Sequence, residues 1–324
     1  MVAKQGKWLI WVVIAVLPLL LLTGEFRTDS SPENLTKEQS ELSQMAFTLN
    51  VIQTDGQMEE MDMDTYWTGV LLAEMPADFE TEALKAQAVV ARTYALRRNV
   101  KKDKHSQGAV CTDHRCCQGY RAVDAYLEAG GTQETVERMR AAVTETKNMV
   151  LTFNGELIEA TYFACSGGKT EDAQSVWGSD IPYLQAVDSP GEEAAGYYTD
   201  TVKFTAEEFQ TLLGDELLGQ PGTWIKSVTY TPGGGVDTIK IGNVSYTGTK
   251  IRSLLGLRST AFVITASGQS IIITTKGFGH RVGMSQYGAD AMAVLGNSYL
   301  QILEHYYQNT VLQQWDTIFA DQGV

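Results

Sequence analysis

Residues Trp8 to Thr23 form an apolar run broken only by Pro18, and Lys4 and Lys7 precede it. The run is slightly short for a spanning helix and slightly long for a signal-peptide core. No small-x-small cleavage site follows, because the next residues are Thr23-Gly24-Glu25-Phe26-Arg27, and no lipoprotein Cys follows either. These cues favour an uncleaved signal-anchor at 8–23 over a cleaved signal peptide. The basic flank keeps residues 1–7 in the cytoplasm and sends the remainder outside. Residues 24–45 are polar and read as a tether.

Beyond the tether the period becomes helical. Trp67, Val70, Leu71 and Glu74 are spaced i, i+3, i+4, i+7, which is one helix face. Asp64 is the expected N-cap, and Pro76 stops the helix within two residues of Glu74. A second helix, capped by Asp78 or Thr81 and rich in Ala, Leu and Gln, runs to about Arg98. Strands begin near Met149: Met149 to Phe153, a turn at Asn154-Gly155, then Glu156 to Phe163. Val228 to Ser245 and Ala261 to Thr275 read as hairpins. Two short helices close the chain, Ser285 to Leu295 and Ser298 to Tyr307, with Ser285 and Ser298 as caps. Gly191 to Gly222 is acidic and irregular in pattern, so 190–260 reads as an insertion or subdomain. The folded part spans 46–312, and 313–324 form a tail. The fold class is α+β: a helical segment carrying an acid packs with an antiparallel, strand-rich part around a substrate groove, preceded by a transmembrane helix.

The net charge of −14 argues against nucleic acid as a partner and against a purely electrostatic hold on anionic membranes. There is no internal repeat and no low-complexity block.

Glu74 is the first candidate for chemistry. A carboxyl group on the apolar face of a last helical turn is disfavoured as an anion by burial and by the helix dipole. Both raise its pKa, which suits a proton donor near neutral pH. Lys85 and Arg92 are seven residues apart on the next helix and form a cationic face. The competing reading is a Glu74 that caps its helix or pairs with Lys85.

Cys111, Cys116 and Cys117 crowd into seven residues, flanked by His105 and His114. His105, Cys111, Cys117 and either Cys116 or His114 would complete a closed, structural zinc site. A local disulfide from Cys111 to Cys116 or Cys117 is the alternative. Cys165 stands apart and reads as a small buried residue.

Two glycine-rich stretches, Ala160 to Thr170 and Lys276 to Ala289, place glycines around polar groups at strand ends, where a backbone can approach a ligand closely. With them, five motifs stand in order: Ala-Glu-Met-Pro (73–76), Ala-Leu-Lys-Ala-Gln-Ala (83–88), Ala-Arg-Thr-Tyr-Ala (91–95), Cys-Ser-Gly-Gly-Lys-Thr (165–170) and Gly-Phe-Gly-His-Arg-Val-Gly-Met-Ser-Gln-Tyr-Gly-Ala (277–289). In order and spacing this resembles the stage II sporulation protein D family from about residue 50 to 310. The amino-terminal anchor favours the sporulation members over the amidase modifiers.

The resemblance implies a lytic transglycosylase acting on peptidoglycan strands stripped of stem peptides, during engulfment of the forespore. It implies Glu74 as the catalytic acid, Lys85 and Arg92 as groove residues, and Tyr162, Ser166, His280, Ser285 and Gln286 in motifs that line the groove. It implies zinc ligands at His105, Cys111, Cys116 and Cys117, with Cys standing where the family has a second His and His114 as the spare. Arg281 stands where many members have Gly and is expected to narrow its loop. The implied setting is the mother-cell membrane facing the forespore, in a complex with a peptidoglycan amidase/endopeptidase (stage II sporulation protein P) and a membrane scaffold (stage II sporulation protein M). No cofactor is needed for the chemistry.

Ordinary glycosidases use two carboxyl groups, whereas these motifs offer one, with Asp172 read as a solvated loop residue. A single acid fits a lytic mechanism in which the substrate's own 6-hydroxyl is the nucleophile. The alternative from another class is a non-catalytic glycan-binding module that enhances a partner amidase. A zinc-dependent hydrolase fits poorly, because the Cys/His cluster looks closed.

Overall fold

The computed structural model describes residues 48–214 and 217–316. The expected anchor at 8–23 and tether at 24–45 lie outside the described residues, as do residues 317–324 of the expected tail. Among the described residues no helix is long and apolar enough to cross a membrane.

The chain enters through a hairpin of β1 (Thr48–Ile52) and β2 (Met58–Asp62), which runs directly into α1 (Met63–Glu74). The cap is Asp62, not Asp64: its carboxylate accepts the Thr65 N–H at 2.8 Å. Asp64 instead sits in the first turn, where a negative charge faces the positive end of the helix dipole. Residues 66–72 of α1 are buried without a break, so it is a central helix with no solvent-facing stripe. It ends because Met75 precedes Pro76 and is held extended, at φ −112° and ψ 133°.

The second helix, α2 (Thr81–Lys101), is also wrapped by protein and is about 31 Å long at 1.5 Å per residue. Its cap position is Glu80, whose backbone N–H donates to Asp290 at 2.7 Å; neither Asp78 nor Thr81 caps it. After β3 (Val110–Cys111), which lies parallel to β1, come α3 (Val123–Glu128) and α4 (Gln133–Glu145). Strands β4 (Met149–Phe153) and β5 (Glu156–Leu157) turn at Asn154 and Gly155, both at positive φ. Then follow β6 (Tyr162–Phe163) and α5 (Ala173–Trp177).

A second core begins at β7 (Thr199–Thr205). It contains α6 (Ala206–Leu213), β8 (Ile225–Tyr230), β9 (Val236–Ile241), β10 (Val244–Thr247), α7 (Gly248–Leu255), β11 (Ala261–Ser267) and β12 (Ser270–Lys276). The sheets run β10-β9-β8 and β11-β12-β7, all antiparallel. Thr199 pairs with Lys276, so this subdomain closes on itself at its two ends. The stretch 191–222 is thus not irregular throughout: it carries β7 and α6, the latter with a full capping box from Thr205 and Glu208.

The chain returns to the first core through β13 (Met284–Ser285), parallel to β6, and then α8 (Gln286–Val294) and α9 (Tyr299–Tyr306). Finally β14 (Val311–Gln314) pairs with β4, so Gln313 and Gln314 belong to a sheet and not to a tail. The first core is built on α1, α2, α4 and β4, with α8 and α9 packed on α2.

Candidate functional site

Glu74 is the last residue of α1 and reaches a cleft of about 830 Å³. Burial raises its pKa from the ordinary carboxyl range. Opposing that, Glu74 Oε1 accepts the Gly119 N–H at 2.5 Å, and Tyr162, His114 and Gln286 also favour the charged form. Burial wins, so the group is biased toward holding its proton. Gln286 Nε2 is buried and has no hydrogen-bond partner within 3.5 Å among the described residues.

Gly119 is a glycine because the backbone must come this close. A Cβ there would meet Glu74 Oε1 at 2.8 Å and the Ala73 Cβ at 3.4 Å. The preceding residue, Gln118, is fully buried and links two phenols. Its Oε1 accepts from the Tyr66 hydroxyl at 3.4 Å, and its Nε2 donates to the Tyr162 hydroxyl at 3.4 Å. Burial first, and the Glu74 charge second, hold the Tyr162 phenol well above its ordinary range, so it keeps its proton. The short loop after the cysteines therefore grips both Glu74 and Tyr162.

In the same cleft, His280 sits between Phe163 at 5.6 Å and Trp177 at 5.5 Å, ring centre to ring centre. Its Nδ1 accepts the Val282 N–H at 3.1 Å, which places the ring proton on Nε2. Burial, reinforced by the Arg252 charge, pushes its pKa down to about 4. His280 is therefore neutral near pH 7, and its ring forms part of the cleft lining. Trp177 is 43% exposed and Phe278 39%, so aromatic faces lie open along the same cleft.

The cations that line the cleft are Arg98, Lys104, Arg115 and Arg252. Lys85 and Arg92 do not. Lys85 pairs with Glu145 at 2.7 Å and Glu82 at 2.9 Å. Arg92 is wholly buried, donates to the carbonyls of Thr146, Met149 and Val143, and packs on the Trp67 ring at 4.7 Å. It ties α2 to the end of α4, a packing role. A second carboxyl group, Glu159, also lines the cleft, but both its oxygens are held by guanidinium groups of Arg97 and Arg98. Asp172 is not solvated: it is 8% exposed and caps α5, accepting from Ser175 N at 2.7 Å and Ser175 Oγ at 2.9 Å.

Beside the cleft, one donor atom each from His105, Cys111, Cys116 and Cys117 lies within 4.8 Å of all the others. His105 Nε2 is 3.5 Å from both Cys116 Sγ and Cys117 Sγ. An N–S edge of a zinc tetrahedron, from Zn–N of about 2.05 Å and Zn–S of about 2.3 Å, is about 3.6 Å. The donor set therefore fits zinc. All four cysteines are free thiols. His114 stays out of the cluster, with 75% of its side chain exposed, and faces the cleft.

Ser166 and Ser285 are fully buried and do not line the cleft. Both donate to Glu192, at 2.9 and 2.6 Å. Glu192 also accepts from Ser166 N, Gly167 N, Ser189 Oγ and the Cys165 thiol. This buried carboxylate ties the two glycine loops together, and nothing in the acidic stretch around it marks it out from Glu193. Arg281 does not narrow its loop. It turns inward at φ +67° and donates to the carbonyls of Ser166, Lys169 and Gly233, while pairing with buried Glu171 at 3.2 Å.

A family model described as "Stage II sporulation protein" matches residues 53–153. The chain is 39% identical over 267 residues to the stage II sporulation protein D of Bacillus amyloliquefaciens, covering 81% of this chain and 77% of that protein. It is 37% identical over 295 residues to the stage II sporulation protein D of Bacillus subtilis (strain 168), covering 90% and 86%. It is 29% identical over 305 residues to the amidase enhancer of the same Bacillus, covering 76% of this chain but 40% of that longer protein.

Proposed function

The chain belongs to the stage II sporulation protein D family, and we propose that it is a lytic transglycosylase that cuts peptidoglycan glycan strands lacking stem peptides. The observation that carries this is Glu74, a carboxyl group biased toward its acid form at the wall of a cleft with open aromatic faces. In the first half of the reaction Glu74 gives its proton to the glycosidic oxygen, and the C1–O4 bond breaks. In the second half the Glu74 carboxylate takes the proton of the muramic acid 6-hydroxyl, and O6 bonds to C1. Acid and base are one group, so the product is a 1,6-anhydro sugar and no water is consumed. Glu159 is ill-placed to activate water, because two guanidinium groups occupy its oxygens. Trp177 and Phe278 supply faces for sugar rings. Tyr162, Gln286 and neutral His280 supply positioning.

His105, Cys111, Cys116 and Cys117 would hold a structural zinc, which supplies no chemistry to the reaction. Its place is mechanical: Cys117 is two residues from Gly119, so ligation would anchor the loop that grips Glu74. The proposed setting is the mother-cell membrane, with the folded part outside, acting in engulfment beside a peptidoglycan amidase and a membrane scaffold, stage II sporulation proteins P and M. Relatedness to an amidase enhancer supports a second reading, a glycan-binding module without catalysis. The test is wild-type protein beside Glu74→Gln and Glu74→Ala: wild type should release soluble fragments from stripped strands, and both variants should fold and release none. Full activity in either variant would remove Glu74 as the acid, and wild-type protein that binds strands without cutting them would leave the binding reading.

A further inference from the structure

Of the residues lining the cleft, Arg252 alone comes from the subdomain 199–276. It lies in the last turn of α7 and is half-buried. The other lining cations are engaged. Arg98 pairs with Asp103 and Glu159, Arg115 pairs with Asp113, and Lys104 donates to the Cys116 carbonyl. Arg252 donates only from Nε, to the Leu257 carbonyl at 3.3 Å, and among the described residues no carboxylate pairs with it. It lines the same cleft as His280, on which its charge acts. Burial lowers its pKa, and no acid offsets the loss.

An anchored guanidinium with its terminal nitrogens unpaired, inside a cleft, is built to receive a planar anion on its open fork. We propose that Arg252 is a carboxylate subsite for the lactyl group of a muramic acid residue. This rests on the glycan-cleaving reading above and gives it a selectivity. When a stem peptide is attached, the lactyl carbonyl is a neutral amide and leads into a chain. When the peptide is gone, the same carbon is a free carboxylate. Arg252 distinguishes the two by charge, so the preference for stripped strands lies in the subdomain's α7 and not in the motifs around Glu74.

The test measures binding by calorimetry to the full chain carrying Glu74→Gln, so that no ligand is turned over. Three tetrasaccharides are compared: N-acetylglucosamine–muramic acid repeats with free lactyl carboxylates, the same with each carboxylate converted to a carboxamide, and chitotetraose, which has no lactyl group. A charge-assisted pair of this kind corresponds to about tenfold to a hundredfold in Kd. The free acid should bind that much more tightly than the other two, and adding Arg252→Met should erase the difference. Equal binding of all three ligands, or a preference that survives Arg252→Met, would overturn the subsite while leaving the glycan cleft intact. Failure to bind any of the three would overturn both the subsite and the glycan reading. The acid–amide comparison needs no change at Arg252, so it stands even if Arg252→Met does not fold.

Discussion

Replacing Gly119 by Ala changes the proposed acid without touching it. Gly119 is not among the glycines at positive φ, so the backbone there admits Ala. The new Cβ would meet Glu74 Oε1 at 2.8 Å, closer than carbon and oxygen settle, so the 2.5 Å bond from the Gly119 N–H must lengthen or break. That bond favours the carboxylate and works against the burial that raises the Glu74 pKa. A hydrogen bond to a charged group is worth about 1.5–3 kcal/mol, and about 1.4 kcal/mol corresponds to one pH unit. Losing it should lift the Glu74 pKa further, by about one to two pH units. A general acid works while it holds its proton, so activity falls as pH rises through that pKa. Gly119→Ala should therefore move the alkaline limb of kcat/KM upward by the same amount, read from soluble fragments released from stripped strands across a pH series. An alkaline limb that stays put, or moves down, in a folded Gly119→Ala protein would refute the reasoning.

Other outcomes follow from the same structure. Glu192→Ala leaves the buried N–H of Ser166 and the part-buried N–H of Gly167 without their acceptor; at about 1–3 kcal/mol for the buried group, thermal or denaturant unfolding should register a loss of at least about 1–3 kcal/mol, and an unchanged midpoint would show that the glycine loops do not depend on it. Purified protein should carry about one zinc per chain by elemental analysis, and chelation should lower the melting temperature, because ligation energy is folding energy; metal-free protein whose melting ignores chelators would end the zinc proposal. His280 has a native pKa of about 4 against about 6.5 when unfolded, so the unfolded chain binds more protons between those values and wild-type stability declines as pH falls from about 6.5 to 4. His280→Ala should flatten that decline and weaken binding or turnover while leaving the alkaline limb in place; a shifted limb would make His280 part of the proton transfer.

What could be read from the sequence was local. Glu74 at a helix end follows from the spacing of Trp67, Val70 and Leu71 and from Pro76, all within ten residues. The Cys/His cluster was legible for the same reason: three of its four residues lie in one short loop. Lys85 and Arg92 were misplaced because a shared face does not say what that face meets. Helix α2 is surrounded, so Arg92 ends on the carbonyls that close α4. The glycine loops pointed to close backbone approach, but to the wrong partner. A Cβ at Gly167 would strike the backbone of Lys276 and Gly277, and one at Gly277 would strike Cys165 and Ser166. The loops approach each other, and Ser166 and Ser285 serve the buried Glu192 between them. Arg252 and Trp177 carry no local signal at all. The first reaches the cleft only once a separate core has folded, and the second is one exposed ring on a five-residue helix.

If one carboxyl group serves as both acid and base, with the substrate's own hydroxyl as nucleophile, the products carry the record. Mass spectrometry of fragments released from stripped glycan strands reads it directly. Fragments should be lighter by one water than hydrolysis products and end in a 1,6-anhydro ring that borohydride does not reduce. Reducible ends at the hydrolytic mass would contradict that mechanism, and would turn attention to Glu159 as the second carboxyl group in the cleft.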